Sequence, residues 1–60
     1  LKQRTLEQLR EHYSLTQEQV ALDVGIDRSY YSKIESGLTP SVSVAKRIGY
    51  FFDFDWTLFF

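Results

Sequence analysis

Breakers of regular structure are scarce in this chain, and where they fall leaves room only for short helices. Proline occurs once, at Pro40, and glycine three times, at Gly25, Gly37 and Gly49. Between them apolar residues recur at spacings of three and four, as on a helix with one buried face. There is no alternating apolar and polar run bounded by turn residues, no internal repeat and no low-complexity linker. The chain reads as all-α, with five short helices.

Local signals place most of the boundaries. The first helix is expected over residues 1–13, with Leu6, Leu9 and Tyr13 on one face. Ser14 and Leu15 connect it to the second, for which Thr16 is the N-cap. Gln19 stands three residues on and completes a capping box, and Leu15 and Val20 occupy hydrophobic-staple positions. Helix two carries Val20, Ala21 and Val24 inward and stops at Gly25. Asp27 caps the third helix, residues 28–36, with Ile26 and Tyr31 as its staple. Tyr31 and Ile34 are its buried residues and Gly37 its C′ residue. The fourth helix begins near Ser41 and runs to about Phe52, with Val42, Ala45, Ile48 and Phe52 inward. Asp53 and Phe54 connect it to a short fifth helix, 56–60, capped by Asp55.

Sixty residues make one domain at most. So short a chain buries only about 60% of the surface its unfolded form exposes, so its core is thin. Cysteine is absent, which excludes disulfides and thiolate metal sites. The single histidine, His12, cannot build a metal site alone, and no cofactor is expected. Nor is there a nucleophile with an orienting base or a phosphate loop, so no catalytic residue is assigned and the chain is not an enzyme. No stretch approaches the roughly 18 apolar residues of a membrane span, and no signal peptide is visible. The expected location is cytoplasmic. The first residue is Leu1 rather than methionine, so a fragment of a longer protein or a chain trimmed at its ends is expected.

The most specific feature lies between Thr16 and Gly37. Two short helices joined by a tight glycine turn make a helix-turn-helix unit. Near the crossing the inner face of the first needs a small residue, and Ala21 is there. Four residues on, the turn needs a residue tolerant of positive φ, which Gly25 supplies. Val20, Val24, Ile26, Tyr31 and Ile34 flank them. The run LTQEQVALDVGIDRSYYSKIESG, continuing through Pro40-Ser41, resembles the lambda-repressor-like helix-turn-helix family, the Xre or Cro type. One departure is Asp53, where that family usually ends its fourth helix with a glycine cap.

The resemblance implies a transcriptional regulator, read as a repressor, that binds double-stranded DNA at a palindromic operator. Helix three would lie in the major groove and helix two across the backbone. Helix three leaves Arg28, Ser29, Tyr30, Ser32 and Lys33 outside its core set. Arg28 offers a fork to guanine O6 and N7, Lys33 reaches similar acceptors, and the hydroxyls of Ser29 and Ser32 suit either base type. The family pattern implies base reading at Arg28, Ser29 and Lys33, and phosphate contact by Gln17. Tyr30, Ser36 and Thr39 are further phosphate candidates, each with one hydrogen bond to donate. Glu35 would repel phosphate and is assigned to holding the two helices together, with Gln17 or a backbone N–H as its partner. The net charge of −1 gives this reading no support and is the main observation against it.

Seven of the eleven residues from Tyr50 to Phe60 are aromatic, more than a thin core can cover. Trp56 and Phe59 are expected to close the core. Phe51, Phe54 and Phe60 would form a homodimer interface. No small-molecule ligand and no membrane partner is indicated. Two other readings stay open. One is a protein-interaction module on the same fold, an antitoxin or adaptor. The other is the DNA-binding part of a larger ligand-responsive regulator.

Overall fold

The computed structural model describes residues 3–60. Four α-helices follow in order: α1 (Gln3–His12), α2 (Gln17–Val24), α3 (Arg28–Glu35) and α4 (Val42–Phe52). A 3-10 turn over Trp56–Phe59 comes last, and no strand occurs among the described residues. The expected fifth helix is therefore this turn. Its hydrogen bonds span three residues, from Leu58 N–H to the Asp55 carbonyl and from Phe60 N–H to that of Thr57, which is the tighter 3-10 pattern. The expected residues 1 and 2 of the first helix lie outside the described residues.

The caps sit where the sequence puts them. Thr16 Oγ1 accepts the Gln19 N–H at 3.1 Å, and the Gln19 side chain accepts the Thr16 N–H at 2.9 Å. Gly25 ends α2 at φ 82°, a left-handed conformation that costs glycine nothing. Asp27 and Ser41 cap α3 and α4. The unusual Asp53 adopts φ 58° and ψ 54° and ends α4 as the expected glycine would. Aspartate tolerates this region better than most residues, which is why the departure leaves the turn intact.

The core is Leu6 of α1, Val20, Ala21 and Val24 of α2, Tyr31 and Ile34 of α3, and Val44, Ala45, Ile48 and Phe52 of α4. Three expected members are outside it, of which Leu9 is half buried and packs against it. Val42 is half exposed, because it stands about a quarter turn off the stripe formed by Val44, Ala45, Ile48 and Phe52. Tyr13 is also exposed, since α1 ends at His12 and Ser14 turns the chain with φ 57°. Its ring lies against Phe52 instead, 6.2 Å between centroids.

Ala21 is fully buried where α2 meets α3. A leucine there has no space without pushing the helices apart, so Ala21→Leu should lower stability by about 2 kcal/mol. Chemical denaturation reads this directly, and an unchanged midpoint would contradict the close crossing.

The aromatic segment divides differently from expectation. Phe59 does pack on the core, but Phe54 joins it there, with ring centroids 5.6 Å apart. Trp56 is only half buried, with the Lys46 ammonium 5.2 Å from its ring centre. Phe51 and Phe60 remain exposed, and Tyr50 more so than either. Phe54 therefore turns toward the core, because the αL turn at Asp53 folds the chain back under α4.

Candidate nucleic-acid interface

The site begins with how α3 is held. Glu35, in its last turn, is a charged residue in the buried set, with 6% of its side chain exposed. A lone buried carboxylate would be costly. Arg10 of α1 meets it through Nε at 2.7 Å and Nη2 at 3.3 Å, and Gln17 Nε2 donates to it at 3.0 Å. Arg10 Nη1 also donates to the Leu15 carbonyl at 2.9 Å. One guanidinium thus joins α1, the turn before α2 and the end of α3. Burial alone would raise the Glu35 pKa. The hydrogen bonds from Arg10 and Gln17, with the Tyr31 hydroxyl close by, outweigh it and hold the carboxyl below its ordinary range. The Tyr31 hydroxyl, raised by burial and by this carboxylate, makes no hydrogen bond of proper geometry among the described residues.

The expected structural role of Glu35 and its link to Gln17 are both present. Arg10 is the residue that sequence reasoning missed. It lies four residues after Leu6, on the same face of α1, and a buried acid on α3 needs a cation.

With its inner side fixed, α3 presents an outward face. Arg28, Ser29, Lys33 and Ser36 are exposed and Ser32 is half buried, and helical spacing puts all five within one arc of about 140°. The structure therefore brings together the four residues expected to read bases. Thr39 is exposed in the loop that follows. Tyr30 is half buried, and its Oη accepts the Ser41 N–H at 3.1 Å. This bond ties α3 to the start of α4 and leaves the phenolic proton available to a phosphate. Gln17 spends one amide N–H on Glu35 and has a second to offer.

The N-terminal turn of α3 carries one acid, Asp27. Its Oδ2 accepts both the backbone N–H of Ser29, at 3.1 Å, and the Ser29 hydroxyl. The Ser29 hydroxyl and then its N–H hold the Asp27 carboxyl below the usual range, although the group is fully exposed. Farther from α3, Phe51 borders two shallow grooves. One is lined by Asp23, Val24, Arg47 and Tyr50, the other by Tyr13, Leu15, Phe52 and Asp53. No group of three His, Cys, Asp or Glu side chains suited to a metal occurs among the described residues, nor any helix long and apolar enough to cross a membrane.

Residues 6–57 match the model of a family described as helix-turn-helix. The chain is 54% identical over 46 residues to an uncharacterized HTH-type transcriptional regulator, YqaF, of Bacillus subtilis (strain 168). That match covers 75% of this chain and 60% of the relative, so the chain spans about three fifths of the relative's length. No solved structure matches.

Proposed function

The chain belongs to the helix-turn-helix family, and on that premise we propose that it binds double-stranded DNA sequence-specifically as a transcriptional regulator. The observation that carries this reading is the outward face of α3. Arg28, Ser29, Ser32 and Lys33 share it, on a helix clamped from behind by Arg10, Glu35 and Gln17. Placed in the major groove, Arg28 donates to guanine and Lys33 to neighbouring acceptors. Gln17, Tyr30, Ser36 and Thr39 flank this face and donate to phosphates. Occupation of the operator excludes polymerase, which makes repression the expected sign. Binding to DNA is the basis on which a cytoplasmic location is proposed.

One such module covers half an operator, so tight binding needs two copies about one DNA turn apart. Phe51 and Phe60, with the outer edge of Phe54, supply the apolar surface for a homodimer on a palindrome. The same exposed aromatics, with Tyr50, favour a second reading as a protein-interaction module. Salt separates the two. DNA affinity that falls steeply between low and physiological salt supports phosphate neutralisation, whereas a flat response favours the interaction module.

Two substitutions test the assignment of roles. Arg28→Ala should weaken the preferred site by about 1–3 kcal/mol and relax the preference at one base pair. Gln17→Ala should weaken preferred and random duplexes alike. Gel-shift titration on a panel of single-base variants measures both, and an unchanged site ranking in Arg28→Ala would remove Arg28 from base reading.

A further inference from the structure

We propose that Asp27 and Ser29 act together as an acceptor-only reader, selecting a base that presents an exocyclic amine to the major groove. The inference rests on the DNA-binding reading above and makes its specificity concrete. A serine hydroxyl ordinarily donates or accepts and so discriminates little. Here the choice is already made within the protein. An ionised carboxylate is acceptor-only, so the contact between Ser29 Oγ and Asp27 Oδ2 requires the serine proton to lie between them. The Ser29 oxygen then faces outward with lone pairs alone. The Asp27 carboxylate adds a second acceptor, Oδ1, and both residues are exposed at the leading end of α3. The backbone N–H of Ser29 is also spent on Asp27, so neither side chain of this pair has a donor left for a base.

The consequence is a sharp chemical filter beside Arg28, which only donates. Guanine shows O6 and N7 to the major groove and thymine shows O4, all acceptors that would face the pair's oxygens without a proton between them. Cytosine N4 and adenine N6 supply that proton. The recognition turn therefore alternates a donor-only residue with an acceptor-only pair, and a register that sets the pair against guanine or thymine places like against like. Asp27 has a cost too, since its negative charge lies near the phosphate backbone. On this reading the cost is the source of discrimination, and it offers one account of how a chain with net charge −1 selects sites.

The test selects bound sites from a random duplex pool with the wild-type chain and with Asp27→Asn. Asparagine caps a helix as well as aspartate but brings two N–H donors. The position where the two selections differ marks the base facing the pair. There the wild type should require adenine or cytosine on the contacted strand. Replacing that base by purine or 2-pyrimidinone, which deletes the amine, should weaken wild-type binding roughly tenfold and Asp27→Asn binding far less. Identical selections, or wild-type affinity indifferent to every amine deletion under α3, would overturn the proposal while leaving DNA binding intact. A pool with no enriched sequence would instead remove the sequence-specific DNA-binding reading, and this inference with it.

Discussion

Replacing Glu35 with alanine should cost about 3 kcal/mol of stability, because the change strands a cation. Arg10 is 15% exposed at its side chain and lies across Glu35 with two hydrogen bonds. Removing one partner of a buried pair costs about 3–5 kcal/mol, mostly as the penalty on the charge left behind. The lower end applies, since Arg10 keeps the Leu15 carbonyl. A domain of this size has roughly 3–5 kcal/mol in hand, so much of the Glu35→Ala protein should be unfolded at 37 °C. Replacing both partners by leucine should recover most of the loss, because no charge is then stranded. The same pair sets an acid limit. The folded state holds Glu35 below its ordinary pKa, so it binds that proton more weakly than the unfolded chain does. The stabilisation is complete above the ordinary value of about 4.3 and drains away as pH falls through the lower folded value. Urea denaturation at neutral pH and near pH 3 should therefore show a larger acid loss in the wild type than in Glu35→Ala. Asp27 and Asp55 are also held low, but both proteins keep them, so the difference isolates Glu35. Equal acid losses would remove the pair from the account.

The parts of this architecture that could be read from the sequence are those written in neighbouring residues. Thr16 and Gln19 declare a capping box within four positions, and Gly25 declares a left-handed turn, so α2 and its exit were legible to the residue. The outward face of α3 followed once Tyr31 and Ile34 were assigned inward. What escaped depends on contacts between distant elements. Arg10 is one ordinary helix residue until α3 brings Glu35, 25 positions away, against it. Val42 looked inward because it continues a spacing of three to Ala45, yet Val44 completes the stripe and Val42 stands aside. Ser29 reads in sequence as an ambivalent hydroxyl, and only the fold brings the Asp27 carboxylate against it as an acceptor. The aromatic run was the least legible, since composition cannot say which rings a reversing chain turns inward. Phe54 turns in because Asp53 reverses the chain between α4 and the 3-10 turn, and Tyr50 stays out because it stands on the face of α4 opposite the buried stripe.

That reversal makes Gly49 the position at which one added side chain should detach the end of the chain from α4. In sequence it is a helix-interior glycine, which alanine should improve by about 1 kcal/mol. In the fold, a Cβ at Gly49 would lie 2.9 Å from the Phe54 carbonyl oxygen, 2.9 Å from Trp56 Cβ and 3.2 Å from the Trp56 nitrogen. Two of those atoms are backbone and cannot rotate away. The Gly49 carbonyl also accepts the Phe54 N–H at 2.9 Å, so the two segments are drawn together at the point that must open. Gly49→Ala should therefore lose stability despite its better helix propensity, by about 1 kcal/mol net. Gly49→Val adds two methyl groups at the same clash and should cost about 3 kcal/mol, at the upper end of overpacking. The loss should have a local signature as well. Trp56 is the chain's one tryptophan, and it packs against Gly49 with Lys46 across its ring. Its emission should move to the red in Gly49→Val under conditions where circular dichroism still reports helix. Phe54 and Phe59 would lift from the core with it, which removes the support for Phe60 on the proposed dimer surface. Sedimentation of the same variant should then show weaker self-association on operator DNA. A Gly49→Val protein with wild-type melting and unshifted Trp56 emission would show that the chain does not double back under α4.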